Sequence, residues 1–166
     1  MNSLPHSPKN VNGKIIYIAA PADLFFAPAH QAAVEAVRQR FPKLHVFDAA
    51  REFASNDDWL RRWPDLLPQI AALVAVPRKD GSVGGDCGIA ILDVCSMQLY
   101  GVPAAFAPPG PTRVDAASRL FVFEDGCLRR LRRFSLALSG TVSRMAFVSS
   151  RQTAHPNLRQ AEAVQQ

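Results

Sequence analysis

Short, unbroken apolar runs that alternate with stretches of helical spacing constrain this chain more than any other feature. "KIIYIAA" (14–20), "KLHVFDAA" (43–50) and "AALVAV" (71–76) read as strands, and "RLFVFED" (119–125) reads as a late one. Between them, "QAAVEAVRQRF" places Ala33, Val34, Val37 and Phe41 on one helical face. "NDDWLRRWPDLLPQI" is helical but holds Pro64 and Pro68, which predicts two short pieces. "CGIAILDVCSMQLY" predicts a helix over 87–100, with Asp86 as its N-cap and Gly101 as its stop. "VPAAFA" after it is expected to start another strand, and "DG" at 125–126 a turn. Strands without internal alternation are covered on both faces, and alternation with helices makes the fold class α/β with a mostly parallel sheet.

In such sheets a ligand lies beyond the carboxyl ends of the strands, where strand order reverses. If the first and third strands are neighbours there, residues 20–30 and 77–88 form the pocket. The loop "GSVGGDCG" offers free backbone N–H groups before a helix, and Arg78, Lys79 and Ser82 add donors for an anion. It is not a Walker A loop or a dinucleotide fingerprint, and no cofactor is expected.

With 166 residues, one domain over 13–149 is expected, with poorly ordered polar tails at 1–12 and 150–166. No apolar run reaches the roughly 18 residues of a membrane span. The start "MNSLPHSPKNVNG" has no signal-peptide core. Cys87, Cys95 and Cys127 have no metal-ligand spacing and an odd count, so no metal and no disulfide framework are expected. A reducing, cytoplasmic setting follows. The net charge of +5 is concentrated late, in "CLRRLRRFSLAL" (127–138). That segment reads as a solvated helix face or strand–helix pair, or as a patch for phosphate, nucleic acid or an acidic partner. No nucleic-acid motif accompanies it, so nucleic acid is not expected as a partner.

Asp93 is the one carboxylate between Cys87 and Phe106. It lies beyond the first turn of its helix, so capping does not explain it. It needs either a hydrogen-bond partner from another element or an open cleft, and both environments suit a nucleophile or base. Tyr17, near the pocket end of the first strand, could hydrogen-bond it or fill core space. His30 is isolated and reads as structural or exposed.

"IYIAAPADLF" and "DCGIAILDVCSMQLYGVP" resemble the two motifs of the nucleoside 2-deoxyribosyltransferase-like family, and the resemblance spans residues 14–107. It implies a flavodoxin-like, Rossmann-like three-layer sandwich with a five-stranded sheet. It also implies cleavage or transfer of a nucleoside or nucleotide N-glycosidic bond through a carboxylate nucleophile, in sites often completed across a homodimer. Counting back from Gly101-x-Pro103 puts that carboxylate on Asp93, one methylene shorter than the family's glutamate. Counting forward from Asp86-x-Gly88 lands on Leu92, and the first count is preferred because it retains a carboxylate. Ala71 stands where many members carry an aspartate. The resemblance makes Asp93 and Tyr17 catalytic and Asp86 a contact to the base or sugar; Asp23, Ser82, Gly85 and Gly88, in the two pocket segments, are expected to bind substrate with it. The alternatives are a nucleotide-binding sensor or regulator without turnover, and an interaction protein working through its basic segment.

Overall fold

The computed structural model describes residues 13–108, 113–114, 119–131, 134–139 and 142–147. Both expected tails, 1–12 and 150–166, lie outside them. The chain runs β1 (Ile15–Ala19), α1 (Pro28–Arg40), β2 (His45–Asp48), α2 (Ala49–Glu52), α3 (Asn56–Leu66), β3 (Ile70–Ala75), α4 (Gly85–Tyr100), β4 (Arg113–Val114), β5 (Leu120–Glu124), β6 (Cys127–Arg130), β7 (Phe134–Ser139) and β8 (Val142–Phe147).

Five strands form one sheet in the order β2-β1-β3-β5-β6. Its first three pairings are parallel, and β6 alone runs antiparallel, against β5. This is the expected α/β three-layer, flavodoxin-like arrangement. The unbroken apolar runs have the expected cause. Ile16 and Ile18 of β1, with Ala72 and Val74 of β3, pack toward α1, around Ala33, Val34 and Val37. Tyr17 and Ala19, with Leu73 and Ala75, pack on the other face against α3 and α4.

Each helix follows from its local chemistry. Pro28 opens α1, where its missing N–H costs nothing. Ser55 caps α3 by accepting from the Asp58 amide, and the Asp58 carboxylate accepts in return from Ala54 N. The expected break at Pro64 does not occur. Trp59, Trp63 and Leu66 are all buried on one face of α3, and that burial outweighs one lost hydrogen bond. The helix tightens instead into a 3-10 turn, Leu67–Gln69, at Pro68. Helix α4 ends at Gly101, whose φ of 73° is a left-handed C-cap that a side chain would strain. Its N-cap is Gly84 rather than Asp86, which falls in the first turn.

Two other expectations are corrected. "VPAAFA" is no strand: Ala104–Phe106 is a 3-10 turn, and the place beside β3 belongs to β5. The described parts of the basic segment, Cys127–Arg130 and Phe134–Ser139, are strands and not a helix. Asp125 and Gly126 both have positive φ, 51° and 73°, the hairpin turn that sends the chain back as β6. After β6 comes β7, which pairs with β4 and β8 in a second, three-stranded sheet. Leu136 and Met145 of this sheet join the core around α4. Arg129 and Arg130 are exposed on β6, whereas Arg132 and Arg133 lie outside the described residues. Among the described residues no helix is long and apolar enough to cross a membrane.

Candidate functional site

A cavity of about 600 Å³ opens at the carboxyl ends of β1, β2 and β3, beside the point where strand order reverses between β1 and β3. Three segments wall it: residues 19–25 after β1, residues 49–59 after β2, and residues 78–90 after β3. The first and third are the segments that the strand pattern singles out. Much of its lining is alanine, including Ala19, Ala20, Ala49, Ala50 and Ala90. Tyr17, Phe25, Phe53 and Trp59 supply aromatic surface.

Tyr17 is held by its neighbours. Its ring stacks on Phe47 at 5.7 Å and meets the Trp63 ring edge-on at 5.3 Å. Burial pushes its phenol well above the usual value, Cys87 adds to this, and a hydrogen bond with Trp59 acts against it. A phenol in that state remains protonated and can act as a donor. Cys87 also lines the cavity, but burial pushes its thiol up to about 12, so it is no nucleophile at neutral pH.

Where the third wall begins, the Arg78 guanidinium spans two loops. It donates from Nε to both oxygens of Asp23, at 3.1 and 2.8 Å, and from Nη1 to Ser82 Oγ at 3.1 Å. This holds the Asp23 carboxyl below the ordinary carboxylate range. Asp23, Gly85 and Asp86 line the cavity, with Asp86 exposed at the rim. Ser82 does not line it; its buried hydroxyl donates to Asp80 at 2.6 Å. Gly88 is buried within α4 and also lies off the lining.

Asp93 is elsewhere. Its Oδ2 accepts from Trp63 Nε1 at 2.8 Å, and its Oδ1 accepts from Ala104 N at 2.9 Å. It is absent from the cavity wall, and Trp63 contacts both Tyr17 and Asp93. Of the two environments open to this carboxylate, the structure has the partnered one: Asp93 ties α4 to α3 and to the turn that follows α4.

The wall formed by residues 49–59, and the group that positions it, left no signal in the strand pattern. His30 is buried, accepts from Phe26 N through Nδ1 at 3.1 Å, and meets Asp48 Oδ1 through Nε2 at 2.9 Å. The accepting Nδ1 places the ring proton on Nε2, so His30 donates to Asp48. Burial works to raise the Asp48 carboxyl, but the His30 bond, the Ala50 amide and Arg51 outweigh it, and the carboxyl sits below its ordinary range. The pair joins α1 to the end of β2, and so fixes the first two cavity walls relative to each other. Asp48 at a strand end followed by "AAR" was the available signal for a cap; nothing local pointed to His30, 18 residues away.

Among the described residues no group of three or more His, Cys, Asp or Glu could hold a metal ion. Comparison with known proteins finds no family model, no curated protein and no solved structure that matches the chain.

Proposed function

We propose that the protein binds a nucleoside or nucleotide in the cavity at the ends of β1, β2 and β3, without turnover through Asp93. The observation that carries this reading is the cavity itself, at the strand-order reversal, with aromatic side chains and a polar, glycine-containing loop both in its lining. Its volume falls within the ~300–1,000 Å³ of small-molecule sites. Aromatic faces accept any base by stacking, at about 1–3 kcal/mol per base. Asn56, Ser55 and Asp86 at the rim offer partners for sugar hydroxyls. The resemblance in residues 14–107 points to the same ligand class. Binding is favoured over N-glycosidic cleavage because the carboxylate in the nucleophile's position is tied to Trp63 and Ala104.

The test is a panel of nucleosides and 5′-monophosphates, read by thermal melting and by chromatography for released base. A ligand at one hundred times its Kd adds about 2.7 kcal/mol, or roughly 5–10 °C for a domain of this size. No shift with any panel member at millimolar concentration refutes the proposal. Release of free base would replace it with the N-glycosidase reading.

A further inference from the structure

The Asp23–Arg78 pair is asymmetric in a way that bears on what the cavity takes. Arg78 is built in. Its backbone N–H donates to Ser82 O at 2.9 Å and its Nη1 to Ser82 Oγ at 3.1 Å. Ser82 is 3% exposed and fastened to Asp80 through both its amide and its hydroxyl. The guanidinium also sits over the start of α4, since a Cβ on Gly84 would lie 3.8 Å from Nη2. Asp23 is not built in. Its side chain is 57% exposed against 31% for Arg78, and it lies in the short 3-10 turn Ala22–Leu24 between β1 and α1. If the carboxylate swung into solvent, the guanidinium would keep its position through Ser82.

A carboxylate bound through two oxygens to a guanidinium has the same geometry as a phosphate on that group. Both residues line the cavity. We propose that Arg78 is the phosphate subsite of this cavity, and that Asp23 is its resident competitor, displaced when a ligand's phosphate arrives. The inference deepens the nucleotide-binding reading and rests on it for the rest of the ligand. A neutral nucleoside enters with the Asp23–Arg78 bridge closed. A monophosphate exchanges one anion for another, and its approach opens the bridge between the β1–α1 and β3–α4 loops. Asp23 therefore sets how strongly the site prefers a phosphorylated ligand.

The experiment has two arms. In the first, the rate at which phenylglyoxal modifies Arg78 is followed by peptide mass spectrometry against inorganic phosphate, in wild type and in Asp23→Asn. In the second, adenosine and its 5′-monophosphate are titrated into wild type, Asp23→Asn and Arg78→Gln, each checked by melting. Removing an exposed competitor should let phosphate protect Arg78 at roughly three- to fivefold lower concentration. The monophosphate should tighten by a similar factor, and by clearly more than adenosine does. Arg78→Gln should abolish the preference for the monophosphate. Unchanged or weakened phosphate protection in Asp23→Asn overturns the proposal, because it makes Asp23 a holder of Arg78 rather than its competitor. If phosphate protects more strongly but neither adenosine compound binds, the subsite stands and the nucleotide reading falls. If both compounds bind equally in all three proteins, the nucleotide reading stands and the subsite falls.

Discussion

Replacing Asp93 tests whether this carboxylate serves the fold or the chemistry. It is half-buried and accepts two hydrogen bonds, one from the buried Trp63 indole and one from the Ala104 amide. Hydrogen bonds to charged groups contribute about 1.5–3 kcal/mol each, and partial exposure puts these near the lower end. Asp93→Ala removes both and leaves the Trp63 N–H inside the protein without its acceptor. The expected loss is about 3 kcal/mol, or roughly 6–12 °C in Tm. Asp93→Asn keeps one carbonyl oxygen but turns an NH₂ toward the second donor, so about half that loss is expected. Calorimetric melting of both variants, beside Trp63→Phe and the Trp63→Phe/Asp93→Ala double variant, measures the coupling directly. The double variant should lose clearly less than the sum of the single changes. Adenosine monophosphate should bind each folded variant as it binds wild type, since Asp93 is absent from the cavity wall. An Asp93→Ala protein that melts with wild type refutes the structural account. An Asp93→Asn protein with wild-type stability and no ligand affinity would place the carboxylate on the ligand.

Three other predictions concern the cavity and its supports. Ala90 lines the cavity from α4 and is 2% exposed, so Ala90→Leu should fill the ligand's space and abolish nucleotide binding in a protein that still folds; retained binding, seen by titration calorimetry, would put the ligand elsewhere. Burial raises the Cys87 and Cys95 thiols to about 12, against about 8.5 in an unfolded chain. Their contribution to stability is therefore complete below about pH 8.5 and declines as pH rises toward the folded values. Urea midpoints should fall between pH 7.5 and 9.5, and less steeply in Cys87→Ala/Cys95→Ala, while a thiol reagent should label the exposed Cys127 in the native protein. His30→Ala leaves the Asp48 carboxylate buried without its main partner, at a cost of about 3 kcal/mol. The Asp48 carboxyl is held below its usual range, so its stabilisation is present above about pH 4 and lost as pH falls through the lowered value. Circular dichroism during acid titration should show His30→Ala unfolding at higher pH than wild type; an unchanged midpoint would mean that His30 does not hold Asp48 in its charged form.

The central sheet was legible because β1 and β3 are buried on both sides as unbroken runs, and such a run has few other uses at that length. The errors fell where a local pattern fits two structures. In "CLRRLRRFSLAL" the spacing of Leu128, Leu131 and Phe134 suits a helix, and Phe134, Leu136 and Leu138 alternate as a strand does. The decision lay just upstream, in the positive φ of Asp125 and Gly126, which closes a two-residue hairpin and fixes the pairing of everything after it. At Pro64 the conflict went the other way: a breaker was overridden by Trp59 and Trp63, which bury against the sheet. Both outcomes belong to tertiary contacts that a window of sequence does not contain.

The same division runs through the site. That Asp93 needed a partner followed from its position in α4; that the partner is Trp63, 30 residues earlier, depends on how α3 and α4 lie side by side. The cavity had a plainer signature. Strand β1 ends in "IAAPA" and β2 runs into "DAA", so the side chains at both strand ends are methyl groups where leucine or valine would fill the space. Alanine has the strongest intrinsic preference for helix, yet Ala19 and Ala20 sit at the end of a buried strand. Packing against α3 and α4 gains less from Ala19, and packing against α1 less from Ala20, than from any larger hydrophobe, since each missing methylene forgoes about 0.8 kcal/mol of burial. Small side chains kept at the carboxyl ends of adjacent parallel strands hold a volume open at the one place in this fold where strand order leaves a crevice. That volume, rather than the out-of-place carboxylate, is the feature of the sequence that points to a ligand.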